Sequence, residues 1–312
     1  MEELLKKELK TSKLESLGSC SGGYINIAQA FNTDYGKIFV KTNEKPQAGL
    51  MFQGEFKSLE AINKTGTVKT PKPYKVIDNP AGGSIFVMEY LDLRGKVSTS
   101  SAQLGRQLAS LHLYNTQLKE QKEKIESFVG KQETVNYVDQ FGFEVPTCCG
   151  YLPQSNSWSS DWLNFYCGKI EAQIDSIDRR EYNMIYRKIR DLWNTLLPGI
   201  PKLFTGLEIR PALLHGDLHF GNASESLHGP VIYDPASFYG HAEYDLAIAH
   251  IYGKFEPEFF QAYHGVIPEA DGFQNRLELY KIFHYINHWN HFHRQYPGRT
   301  IDILHSLIKA TR

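Results

Sequence analysis

Apolar positions along this chain follow short strand-like runs at first and helical stripes later. Charge alternates with leucine in the opening MEELLKKELKTSKLESL, which predicts an amphipathic helix. Residues 18–42 then read as strand, turn, strand, turn, strand. Gly18, Gly22 and Gly23 lie at the first turn and Asn32–Gly36 form the second. The run Ile38-Phe39-Val40-Lys41 is an apolar strand that ends on a lysine. Across residues 47–64 the period changes: Met51, Phe52, Phe56, Leu59 and Ile62 make a helical stripe, and Glu55 lies on it. Pro71 and Pro73 lead into a strand at Tyr74–Ile77, a turn at Asn79–Gly83 and an apolar strand at Ser84–Tyr90. Residues 98–120 predict a helix capped by Ser98, Thr99 or Ser100, burying Leu104, Leu108 and Leu111. A sheet with one key helix over 1–93, then a mainly helical 94–312, is an α+β arrangement with its boundary near residue 94.

Composition narrows the classes. The chain has 312 residues, 41% hydrophobic, enough for one large bilobal unit or two domains. With 34 basic and 35 acidic residues the net charge is −1, so no basic stripe marks a nucleic-acid or membrane surface. No apolar run is long enough to span a membrane, and the N-terminus reads as neither signal nor transit peptide. Four cysteines (Cys20, Cys148, Cys149, Cys167) are too few for a disulfide framework, which points to a reducing cytoplasm. Repeats and low-complexity runs are absent.

Residues 211–237, PALLHGDLHFGNASESLHGPVIYDPAS, carry the chemistry. Asp217, Asn222 five residues on, and Asp234 surround two apolar runs. Phosphoryl transfer to a hydroxyl needs one carboxylate to take the proton, and an amide with a second carboxylate to hold Mg²⁺ against the phosphates. The competing reading is an Asx-rich turn before an ordinary strand. Upstream, a Gly-rich turn about twenty residues before a strand lysine is the layout that clamps nucleotide phosphates. Lys41 is otherwise a snorkelling surface lysine. A carboxylate on a core-facing stripe is costly unless it meets a cation, so Glu55 is expected to pair with Lys41 or else to reach solvent from the stripe's edge. VMEYLDL reads as a hinge whose backbone at Glu89, Tyr90 and Leu91 would meet adenine.

Longer motifs make the pattern specific. MEELL, FVKTN, MFQGE, VMEYLDL, LASLHLYN, QFGFEVPTCCGYLPQ, GLEIRPALLHGDL, GPVIYDPASFYGHAEYDLAIA, AYHGVIP and YINHWNHF resemble the fructosamine/ketosamine 3-kinase family, within the aminoglycoside-phosphotransferase-like group of the protein-kinase fold. The resemblance runs to about residue 293, looks closest to the ketosamine-type branch and implies a bilobal fold. It implies Asp217 as catalytic base, Asn222 and Asp234 as Mg²⁺ ligands, and Lys41 with Glu55 at the phosphates of ATP. Gly22 and Gly23 would lie over those phosphates. It also implies an acceptor that is a ketosamine, on protein lysines or free amines, phosphorylated at its 3-hydroxyl. The unstable product would then eliminate and release the amine. Two departures stand out. The family's loop carries tryptophan where His219 stands, which puts acceptor preference in doubt. A redox-sensitive cysteine of some relatives lies near Tyr24, whereas this chain has Cys20. Aminoglycoside or choline kinases of the same fold, and a nucleotide-binding pseudokinase, are the alternatives. The expected state is a monomer or weak dimer.

Helix 275–294 holds His284, His288, His291 and His293, a spacing that permits a metal site. Core packing is the favoured reading, because no cysteine or carboxylate cluster accompanies these histidines. By resemblance, His219, His288 and Trp289 would contact the sugar or its amine. Cys148 and Cys149 are expected as buried packing. His215 should brace the catalytic loop, and Asp245 reads as a helix cap or loop anchor.

Overall fold

The computed structural model describes residues 1–19, 25–127, 136–177, 183–251, 254–292 and 296–312, with backbone alone at residues 20 and 179–182. Gly22, Gly23 and His293, and the side chain of Cys20, therefore lie outside the described residues.

The first part is α1 (Glu2–Leu9), β1 (Leu14–Cys20), β2 (Ile27–Thr33), β3 (Gly36–Asn43), α2 (Ala48–Thr65), β4 (Pro73–Asp78) and β5 (Ser84–Glu89). Its strands form one antiparallel sheet in the order β1-β2-β3-β5-β4. Alternation along β5 explains why Ile85, Phe86, Val87 and Met88 are apolar without a break. Ile85 and Val87 face Leu5 of α1 with Phe31, Ile38 and Val40, while Phe86 and Met88 face Met51, Phe52 and Leu59 of α2. A strand covered on both faces has no polar side to show.

The opening helix is shorter than its pattern predicts. It stops at Leu9, where Lys10 turns left-handed (φ 53°), and residues 14–20 join the sheet. Asp34, in the β2–β3 turn, accepts from Thr11 Oγ1 (2.9 Å), Ser12 N (2.6 Å) and Lys13 N (3.2 Å). These bonds hold residues 11–13 in an extended turn that a continuing helix could not make.

The second part contains α3 (Ser101–Ser127), β6 (Thr147–Cys149), β7 (Leu152–Gln154), α4 (Trp162–Asp175), α5 (Arg179–Leu196), β8 (Ala212–Leu213), β9 (Ala223–Ser226), β10 (Gly229–Ile232) and β11 (Tyr239–Gly240). It closes with α6 (Glu243–Ile251), α7 (Pro257–His264), α8 (Phe273–Phe292) and α9 (Pro297–Ala310). Helix α3 packs on α7, and α8 packs on α6 and α9, around one large apolar core. The expected boundary near residue 94 falls within the connection between β5 and α3.

Helix α3 starts directly after the three expected cap candidates, and Leu104 N donates to Ser100 O (2.9 Å). Glu225, on β9, accepts from Ser98 N (2.8 Å), Ser100 N (2.9 Å) and both hydroxyls of Thr99 and Ser100. A distant carboxylate thus fixes the three residues that lead into the helix. Close backbone contacts join the parts near the site. Ser237 N donates to Ser58 Oγ of α2 (3.1 Å), and a Cβ on Gly54 of α2 would meet Pro146 O at 2.7 Å.

Candidate active site

The loop between β8 and β9 carries Asp217 and Asn222, and Asp234 follows β10. Their separation in sequence closes in space through backbone bonds: Tyr233 N donates to Asn222 O (3.0 Å) and Ala236 N to His215 O (2.8 Å). Gly216 is required at the crossing. Its φ is 84°, and a Cβ there would meet Ala236 O at 2.1 Å. Asn222 Nδ2 donates to the Asp217 carbonyl (2.9 Å), so its amide oxygen is the atom left to meet a cation. Asp217 is half-buried. Burial and the neighbouring Asp234 charge push its carboxyl up to about 8.

Lys41 reaches this segment from the sheet. Its Nζ donates to Glu55 Oε1 (2.7 Å) and to Asp234 Oδ1 (2.5 Å), with Lys41 and Glu55 both buried. Burial alone would lower the lysine's pKa, but Asp234 and Glu55 together push it above the usual value. Burial raises the Glu55 pKa, and Lys41 opposes that. The expected lysine–glutamate pair is present, and the same ammonium touches the second acidic residue of the motif. Asp234 itself is left-handed (φ 58°) with a side chain 41% exposed. A non-glycine residue in that region is uncommon, though Asp tolerates it, and such conformations cluster at functional sites. Two hard oxygen donors, one from Asn222 and one from Asp234, suit Mg²⁺.

The remaining expected residues divide. His219 is half-buried; its Nδ1 accepts from Gly221 N (3.0 Å) and starts the short turn 220–222. Burial pushes its pKa down to about 4, so the ring is neutral with its proton on Nε2. His288 lies near enough for its charge to act on His219, and its Nδ1 donates to His284 O (2.6 Å). Trp289 is 1% exposed and belongs to the core; its predicted contact with the sugar is not supported. The Glu89 side chain, which the hinge reading did not involve, accepts from Lys69 Nζ (2.6 Å) and Lys72 N (3.0 Å). In the backbone of 89–91, Glu89 N already donates to Lys72 O (2.8 Å), and Lys37 lies over the Tyr90 ring.

Sequence reasoning understated the support beneath the loop. Asp245, fully buried in the first turn of α6, accepts from His215 N (2.7 Å) and Gly216 N (2.8 Å), so it is an anchor rather than a cap. Burial would raise its pKa, but the hydrogen bond and charge of His112, with His215, hold it below the ordinary value. His112 also meets Tyr263 OH (2.8 Å), which extends the anchor from α3 to α7. His215 braces the loop as expected: Nδ1 accepts from Asp217 N (3.2 Å) and Nε2 donates to Tyr233 O (3.0 Å). His241 meets Tyr280 OH, and Glu243 pairs with buried Arg276.

One expectation fails. Cys149 Sγ and an Asp217 oxygen lie within 4.8 Å of a His284 ring nitrogen, so a thiol and a carboxylate do accompany that histidine. Chain separation hid the cluster; the only sequence hint was a cysteine pair in a glycine turn.

A twisted antiparallel sheet over a helical body, with a basic side chain gripping the acidic loop beneath it, is the protein-kinase-like arrangement. Residues 1–310 match the family profile described as fructosamine kinase. A ketosamine-3-kinase from Mus musculus is 51% identical over 99% of this chain and 100% of its own length. A chloroplastic protein-ribulosamine 3-kinase from Arabidopsis thaliana is 36% identical over 99% of this chain and 88% of its own. A solved Thermobifida fusca structure, provisionally named a fructosamine-3-kinase, aligns with a TM-score of 0.77 at 22% identity, covering 99% of each chain. The GDP complex of an aminoglycoside 2'-phosphotransferase aligns at 0.57 and 12% identity over 100% of this chain and 98% of its own, which speaks for fold alone. The chain belongs to the fructosamine kinase family.

Proposed function

We propose that this chain is an ATP-dependent kinase that phosphorylates the 3-hydroxyl of ketosamines, on glycated proteins or small amines. The observation that carries the reading is the ammonium of Lys41 bonded at once to Glu55 and Asp234, above the loop that holds Asp217. A full-length relationship to a ketosamine-3-kinase supports the acceptor class.

Asn222 and Asp234 would hold Mg²⁺, which when bound supplies positive charge against the phosphates. Lys41, fixed by Glu55, steadies the α- and β-phosphates, while Gly22–Gly23 and the backbone of 89–91 cover and seat the nucleotide. Asp217 orients the sugar hydroxyl and accepts its proton as the bond to phosphorus forms. His215 and the Asp245 anchor keep that carboxylate in place. His219 and His288 border the acceptor side, where a neutral imidazole donates from Nε2 or offers a flat face to the sugar. Most of the acceleration comes from positioning and charge neutralisation. The 3-phosphate then eliminates and frees the amine, a deglycation.

The compartment we propose is the cytoplasm, in keeping with the free thiols Cys148, Cys149 and Cys167. Among the described residues no helix is long and apolar enough to cross a membrane.

An ADP-release assay with fructoselysine, ribuloselysine, kanamycin and choline side by side tests the acceptor. Turnover on a ketosamine alone is expected. Turnover confined to kanamycin or choline would refute the acceptor class. Nucleotide binding without ADP release on any acceptor would make the chain a pseudokinase.

A further inference from the structure

Beside the catalytic carboxylate stand two more side chains of the kind that bind zinc, the Cys149 thiol, which hydrogen-bonds to it, and the His284 imidazole. Cys149 Sγ on β6, an Asp217 oxygen on the loop and a His284 ring nitrogen on α8 lie within 4.8 Å of one another. Cys149 is 2% exposed and His284 is fully buried. Neither ring nitrogen of His284 has a hydrogen-bond partner, which is costly for a buried imidazole. Burial pushes its pKa down to about 3, so the ring is neutral and carries a lone pair. Asn287 Nδ2 donates to Cys149 Sγ (3.2 Å) and helps to fix that sulfur.

We propose that Cys149, Asp217 and His284 form a Zn²⁺ site whose occupation shuts the enzyme off by taking its catalytic base. Thiolate and imidazole ligands select zinc over magnesium, which keeps to the oxygens of Asn222 and Asp234. Tetrahedral zinc spaces sulfur and nitrogen ligands roughly 3.5 Å apart, so side-chain shifts of about 1.3 Å or less close the trio on the ion. Asp217, half-buried, offers the way in from the cleft and leaves a fourth position for water. On binding, the Cys149 proton passes to solvent, so affinity falls as pH falls. The inhibition rests on Asp217 being the base; the binding does not.

Co²⁺ titration of the full-length protein reads the site directly. One equivalent should give a thiolate-to-cobalt charge-transfer band with tetrahedral visible bands. The bands should persist in Cys20→Ser, Cys148→Ser and Cys167→Ser, vanish in Cys149→Ser and weaken in His284→Gln. In parallel, Zn²⁺ should inhibit turnover at saturating Mg·ATP, and Cys149→Ser should need at least ~10-fold more zinc for the same inhibition. Absence of the band from wild type, or its survival in Cys149→Ser, overturns the site. Inhibition unaffected by Cys149→Ser places zinc at the nucleotide instead and overturns it too. A band lost in Cys149→Ser without any inhibition refutes the shut-off and traces that failure to the role given to Asp217.

Discussion

At the scale of residues, the pairing of Lys41 with Glu55 is legible in the sequence because a carboxylate on a helix's apolar stripe needs a cation. Their 2.7 Å contact meets that need. Nothing in the sequence, by contrast, joined Cys149 and His284 to Asp217. That meeting depends on how a hairpin, a loop and a helix stack, and periodicity does not report it. Trp289 shows the same limit: the YINHWNHF motif marks the end of α8 without saying which of its side chains face the core. His219 makes the sharpest prediction at this scale. His219→Trp places a larger aromatic face beside the acceptor. We expect it to raise kcat/KM for fructose-derived amines relative to ribulose-derived ones by about 10-fold, measured as paired specificity constants. An unchanged ratio would remove position 219 from acceptor selection.

Among elements, the N-terminus of α3 shows how tertiary context adds to local helix-start signals. The helix starts just after Ser98, Thr99 and Ser100, and the backbone N–H groups of Ser98 and Ser100 donate to Glu225. Those bonds pull the Glu225 pKa down to about 2. A carboxylate depressed in the folded state adds stability above its ordinary pKa, and that stability is lost as pH falls through the depressed value. Glu225→Ala should therefore lower stability by about 1 kcal/mol or less near neutrality, since the group is solvent-screened. The gap between the melting temperatures of wild type and variant should shrink from about pH 6 to about pH 3. A constant gap would mean that Glu225 acts by packing. The shortened α1 teaches the same lesson: the leucine–charge pattern ran on past Leu9, but Asp34 claimed residues 11–13 for a turn.

Across the whole molecule, the order of elements and the division into sheet and helices were legible because the hydrophobic period changes along the chain. How the two parts lock was not, since that depends on close backbone approach. Gly54 allows α2 to sit on Pro146 and Thr147, with would-be Cβ contacts of 2.7 and 3.0 Å. Gly54→Val should push α2, and with it Glu55, off the hairpin, costing about 1–3 kcal/mol in urea unfolding. A midpoint equal to wild type would show that the contact yields freely. The catalytic claim is tested most directly by comparing wild type with Asp217→Asn on ribuloselysine and Mg·ATP, following ADP, free lysine and nucleotide binding together. Wild type should release ADP and lysine one for one, and the variant should bind nucleotide equally while turning over ~10²-fold more slowly or worse. Equal turnover in the variant, or ADP formed without loss of ketosamine, would contradict the account.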